Sequence, residues 1–153
     1  MSYQTILYHI SDRILTITLN RPNELEHAFY RASEDDDVGA IVVTGAGKAF
    51  CAGMDLSKVG NVFGLNETLQ PTMEDMENRL SDEAIHAGVR DTGGRVTLAI
   101  YDCKKPVIAA INGAAVGIGA TMTLAMDMRL ASEKARIGFV FGKIGITPEA
   151  CSS

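Results

Sequence analysis

Cysteine is scarce in this chain. Cys51, Cys103 and Cys151 are too few and too scattered for a disulfide framework, and no CxxC or paired histidine suggests a metal site. A reducing, cytoplasmic setting is the plain expectation. A basic excess is also missing. The formal net charge of −5 argues against a nucleic-acid partner, yet leaves room for a phosphorylated ligand served by a few local lysines. The N-terminus, MSYQTILYHISDR, lacks the basic start and apolar core of a signal peptide. No internal repeat or low-complexity tract interrupts the sequence. What is there is 153 residues of ordinary composition, enough for one globular domain with a real core.

Charge is absent from one long stretch, Pro106 to Met126, PVIAAINGAAVGIGATMTLAM. Its length would suit a membrane span, but the Asn112-Gly113 turn signal falls inside it and favours strand, turn and helix. The expectation is a buried strand over Val107–Ile111, a tight turn with glycines at 113 and 117, and a helix from about Gly117. A helix that starts in such a turn points free backbone N–H groups at whatever lies in front of it. That makes the turn a candidate anion or oxyanion site.

The rest of the chain alternates in type. Ile6 to Ile10 and Ile14 to Leu19 carry a period-two pattern around Ser11-Asp12-Arg13 and predict a hairpin, stopped by Asn20-Arg21-Pro22. Leu25, Ala28, Phe29 and Ala32 have helical spacing, so Glu24 to Ala32 is a short amphipathic helix. The acidic run from Glu34 is a solvated turn. Ala40 to Thr44 is a buried strand, Gly45 to Lys48 a turn, and Ala49 to Leu56 small and apolar. Residues 61–71 read as loop, and 73–80 and 89–101 as helices joined by an exposed stretch. Met128 to Ser132 is a short strand, and Ile137 to Ile146 a Gly-punctuated loop leading to Thr147-Pro148-Glu149. This order makes an α/β fold with right-handed crossovers.

Neither Gly-rich loop fits a nucleotide motif. Gly45-Ala46-Gly47-Lys48 ends like a P-loop, but Val42 and Ala49 break the spacing, and Met122 stands where Gly117-Ile118-Gly119 would need a third glycine. The two units IVVTGAGKAFCAGMDL and VIAAINGAAVGIGATMTLAMD nevertheless share a grammar, a buried strand followed by a Gly-containing bend. Two N–H groups converging from such bends would make an oxyanion hole for a thioester carbonyl or its enolate. The plainer alternative is that small residues let helices pack close to the sheet.

Asn20-Arg21-Pro22, then Thr44 to Leu56, then Lys105 to Gly119, in that order, resemble the crotonase (enoyl-CoA hydratase/isomerase) superfamily, and the similarity covers essentially the whole chain. The resemblance implies a spiral of ββα units that binds an acyl-CoA thioester, with coenzyme A arriving as part of the substrate and no separate cofactor or metal. By position, the two oxyanion donors are the backbone N–H groups of Met54 and Ile118. An isoleucine at 118, in place of the usual glycine, narrows the pocket. Ala52, Asp55 and Leu56 fall where the family lines the coenzyme A and acyl channel, and Gly117 adjoins the second donor. Family members also build trimers or hexamers and act in fatty acid metabolism as lyases or isomerases. Residues 1–153 then correspond to the crotonase-like N-terminal core, without the C-terminal helices that cap the site and build trimers.

The chain departs from the family at both positions where hydratases carry a glutamate. Thr121 stands at the first and Phe141 at the second, so neither can act as acid or base. One carboxylate stands in a useful place, Glu149. The resemblance implies that dienoyl-CoA isomerases and chlorobenzoyl-CoA dehalogenases carry a working aspartate there. A lone carboxylate beside an oxyanion hole can move a proton between the α and γ carbons of an enolate, which is isomerase chemistry. The bland alternative is a helix-starting acid after proline. His9, His27 and His86, on a strand, a polar helix face and a loop, are expected bystanders. About a dozen family residues look absent between Pro22 and Asn23. Three functions follow: an acyl-CoA enzyme of the hydratase/isomerase type, a non-catalytic acyl-CoA-binding homologue or assembly subunit, and a structural homo-oligomer without ligand.

Overall fold

The computed structural model describes residues 3–19, 24–53, 60–61, 63–66, 68–79, 81–148 and 150–151. The chain opens with an antiparallel hairpin of β1 (Ile6–Ser11) and β2 (Ile14–Leu19), in which Ile6 faces Leu19. Asp12 and Arg13 turn it with φ of 51° and 63°, the doubly left-handed turn whose twist matches the flanking strands. Helix α1 (Leu25–Glu34) follows and buries Leu25, Ala28, Phe29 and Ala32 completely. That is the face its helical spacing predicts.

Next come β3 (Ala40–Gly45), a bend, and β4 (Ala49–Cys51). Helices α2 (Met73–Asn78), α3 (Glu83–Val89) and α4 (Thr92–Tyr101) lead to β5 (Val107–Ile111), a second bend and β6 (Ala114–Val116). Helix α5 (Ile118–Thr121) continues as a 3-10 turn, Met122–Ala125, into β7 (Met128–Ala131), β8 (Arg136–Gly138) and α6 (Phe141–Ile144).

Among the described residues the strands form two sheets, β1-β2-β3-β5-β7 and β4-β6-β8, with parallel pairing except in the hairpin. The rule is regular. A strand of the large sheet passes through a bend or turn to a short strand of the small sheet, and helices intervene before the next unit. Repetition of that unit is the ββα spiral the resemblance implies. The core lies between the large sheet and the helices, with Leu15, Ile17, Ile41, Val43, Val107 and Ile111 packed against Phe29, Val96, Ile100 and Met122. Burying each large apolar side chain contributes about 1.5–3 kcal/mol.

The helix expected from about Gly117 begins at Ile118 and ends after its 3-10 turn, where Arg129 Nη1 donates to the carbonyls of Thr123 and Met126 at 2.9 and 2.7 Å and the chain turns back into β7. Three expectations need correction. The exposed stretch before residue 89 contains α3, whose start is set by Asp82 Oδ1 accepting from the Ala84 N–H at 3.0 Å. His86, expected on a loop, is therefore on a helix. The segment 137–146 is not a loop. Gly138 ends β8, and Gly145, at φ 72°, closes α6 as the Ile146 N–H returns to the Phe141 carbonyl at 3.2 Å. Finally, β6 lies within what reads as a turn. The segment missing between Pro22 and Asn23 falls on residues 20–23, outside the described residues.

Glu24, at the entry to α1, ties the N-terminal segment to the helix. One oxygen accepts from the N–H groups of Gln4 and Thr5 at 2.8 and 2.7 Å and from the Thr5 hydroxyl at 2.7 Å. These bonds, the Thr5 hydroxyl first, hold its carboxyl below the ordinary value of 4.5. The fold therefore favours the ionised form. The resulting stabilisation is present at neutral pH and is lost as pH falls below 4.5 through the folded-state value. Thermal melts from about pH 5 to about pH 3 should show the wild type losing more stability than Glu24→Gln. Parallel curves would remove this role.

Candidate active site

The two Gly-rich bends meet. Asn112, read from sequence only as half of a turn signal, joins them with its side chain. Its Oδ1 accepts from the Gly45 N–H at 3.1 Å, and its Nδ2 donates to the carbonyls of Gly45, Gly47 and Ala49 at 3.2, 3.0 and 3.4 Å. Thr44 adds a hydroxyl bond to the Ala110 carbonyl at 3.0 Å. Three glycines then let backbone press on backbone. A methyl group at Gly113 would overlap the Lys48 carbonyl oxygen, one at Gly119 would overlap that of Cys51, and one at Gly53 would sit 3.0 Å from that of Val116. Gly53 and Gly117 also hold φ of 96° and 55°, which only glycine adopts at little cost. Replacing Asn112 with alanine should destabilise the protein by about 1–3 kcal/mol, because the bend's backbone groups lose their partner. A thermal melt matching wild type would exclude the clasp.

Ile118, one of the two expected donors, begins α5 just beyond this clasp and is buried. Among the described residues no acceptor is placed on its N–H or on that of Gly119. The preceding Gly117 N–H is occupied by the Gly138 carbonyl at 3.1 Å. Ala52 is exposed on the loop after β4. Met54, Asp55, Leu56 and Glu149 lie outside the described residues, which include their neighbours Gly53 and Ala150.

The two hydratase positions offer no acid or base. Thr121 is fully buried, its hydroxyl turned back to the Gly117 carbonyl at 3.3 Å. Phe141 is buried at the start of α6. Cys51, beside the clasp, is buried too, and burial pushes its thiol above the ordinary value although the Gly53 N–H favours the thiolate. His27 is engaged with the Tyr3 hydroxyl at 3.1 Å, away from the bends.

A cleft of about 250 Å³ opens nearby, lined by Phe63, Leu65, Val89, Asp91, Ile146, Thr147 and Ala150. Its wall is apolar except for Asp91 and Thr147. Sequence reasoning did not single out Asp91, although an Asp three residues before Gly94 is a cap signal. The carboxylate does cap α4, accepting from the Gly94 N–H at 2.7 Å.

Comparison with known proteins supplies the family. The sequence model of the enoyl-CoA hydratase/isomerase family matches residues 9–85 and 71–153. The chain belongs to that family. Enoyl-CoA hydratase ACTT3 of Alternaria alternata is 39% identical over 137 residues, which take in 90% of this chain and 40% of that protein. The 1,2-epoxyphenylacetyl-CoA isomerase of Escherichia coli K12 is 31% identical over 155 residues, 94% of this chain and 53% of that protein. That alignment is longer than the chain itself, so the relative carries residues that this chain lacks. A crystal structure of an enoyl-CoA hydratase/isomerase from Pseudoalteromonas atlantica superposes with a TM-score of 0.72 at 28% identity, covering 97% of this chain and 55% of that one. The crotonase fold is thus shared, and the chain spans 40–53% of the length of these two curated relatives.

Proposed function

We propose that the protein is an acyl-CoA enzyme with isomerase-type chemistry. It holds the thioester oxygen with the backbone N–H groups of Met54 and Ile118 and moves a proton with Glu149. The observation that carries this reading is the clasp between the two bends, which aims the start of α5 at the loop after β4. The buried Thr121 hydroxyl and Phe141 ring support isomerisation over hydration, because neither position can activate water.

The chemistry balances without a co-reactant. Glu149 removes a proton from the α carbon of a 3-enoyl thioester, and the electron pair delocalises onto the thioester oxygen. Two N–H donors stabilise that dienolate. Return of the proton at the γ carbon shifts the double bond into conjugation and restores the carboxylate. The apolar cleft supports an acyl chain as the ligand portion. The exposed apolar side chains of Met128, Leu130, Ile137 and Phe139 support a homo-oligomer.

The deciding experiment mixes the purified protein with 3-hexenoyl-CoA and follows the conjugated-enoyl absorbance. A rise that depends on Glu149 is expected. No turnover, with hexanoyl-CoA binding seen by calorimetry, would favour the non-catalytic homologue. No binding at all would leave a structural oligomer.

A further inference from the structure

We infer that Gly93 is a positioning residue, the joint at which the segment bearing the Ile118 donor and the segment that follows Glu149 are held together. The inference rests on the reading given under Proposed function. A methyl group at residue 93 would lie 3.0 Å from Ile118 Cδ1, 3.1 Å from Ala150 Cβ and 3.2 Å from Asp91 Oδ2. Three elements therefore meet at one bare backbone position: the start of α5, the residue peptide-bonded to Glu149, and the capping carboxylate of α4.

The 150–151 segment is docked, not draped. Ala150 is only 3% exposed, and both Ala150 and Cys151 hold φ of 55°, a conformation that costs energy for residues with a side chain and persists where packing imposes it. Cys151 Sγ lies 3.9 Å from the Gly94 carbonyl, and Arg90 Nη1 lies 3.6 Å from the same sulfur. Asp91 Oδ2 is enclosed and has no partner among the described residues. The first turn of α4 is thus shaped to receive this segment, and Gly93 sits in the middle of the seat.

What a methyl group would move follows from stiffness. Ile118 Cδ1 is the end of a flexible side chain and can swing aside. Ala150 Cβ is fixed to backbone that already holds a left-handed φ, so residue 150, which is peptide-bonded to Glu149, must give by a few tenths of an ångström. Proton transfer is steeply sensitive to such displacement, whereas thioester binding spreads over many contacts. Gly93→Ala should therefore lower kcat about threefold, the share of the roughly hundredfold cost of an about 1 Å misplacement that a shift of a few tenths of an ångström carries. The dissociation constant for hexanoyl-CoA should stay near wild type.

Ala150→Gly supplies the compensating change. Alone it empties the seat and should also lower kcat. In the Gly93→Ala background it moves the methyl group from one side of the joint to the other, and most of the lost kcat should return. Recovery of that kind in the double variant reports direct contact. Wild-type kcat in Gly93→Ala, loss of hexanoyl-CoA affinity as large as the loss of kcat, or no recovery in the double variant would each overturn the inference. Alanine is the better helix former, so a melting temperature lowered in Gly93→Ala, and raised by Ala150→Gly more in that background than in wild type, reads the same joint without turnover. If the wild type does not isomerise 3-hexenoyl-CoA, the functional reading falls, and additive melting temperatures would dispose of the joint independently.

Discussion

Glu149→Gln should lower kcat for 3-enoyl-CoA isomerisation by about 10²–10⁴-fold, the usual contribution of a positioned general acid–base, while hexanoyl-CoA affinity stays close to wild type. The amide keeps the size of the carboxyl but cannot take the α proton at neutral pH. Neither Thr121 nor Phe141 can substitute. Thr121 spends its hydroxyl on the Gly117 carbonyl at 3.3 Å, and Phe141 has no titratable group. Steady-state kinetics beside calorimetry separate the two quantities. Equal loss of kcat and binding would make Glu149 a residue that shapes the pocket, and undiminished kcat would remove it from the mechanism.

Gly119→Val should remove both activity and much of the stability. Its Cβ would overlap the Cys51 carbonyl oxygen and lie 2.7 Å from Cys51 Cβ and 2.9 Å from the carbonyl carbon. Two of these atoms are backbone of β4 and the third is fixed to it, so the two bends must part. Overpacking of this kind costs about 3 kcal/mol, a fall in Tm of roughly 6–12 °C for a chain of this size. Gly142→Ala is the matched control, because a methyl group there meets none of the described residues within 4 Å. It should leave the melt unchanged or raise it by up to about 1 kcal/mol of added stability. Two similar melts would mean that the bends do not interlock as described.

The large sheet was legible in the sequence because its strands are long enough to carry a pattern. Ile14 to Leu19 alternates visibly, and Val107–Ile111 sits between a proline and an Asn-Gly turn. The small sheet was not. Its three strands have three residues each, too few for a period-two signal, and β6 hides inside a turn motif. The end of α5 was equally silent, since it depends on Arg129 reaching back to Thr123 and Met126. At the site, the motifs placed Ile118 correctly at the head of a helix beside the first bend. The Asn112 clasp could not be read, because its partners Gly45, Gly47 and Ala49 are more than sixty residues away in the chain. The place of Gly93 was not legible either, since its reason is tertiary.

The two-sheet construction also dictates the order in which the chain can assemble. The β1–β2 hairpin needs only neighbouring residues, and closures of that kind take microseconds. The small sheet joins residues 49–51 to 114–116 and these to 136–138, so it cannot exist until residue 138 has left the ribosome. Each such long closure carries an entropic cost that local contacts escape. The start of α5 is seated by the Gly138 carbonyl on the Gly117 N–H, a contact that waits for β8. A nascent chain therefore owns a folded hairpin and helix well before its small sheet is complete.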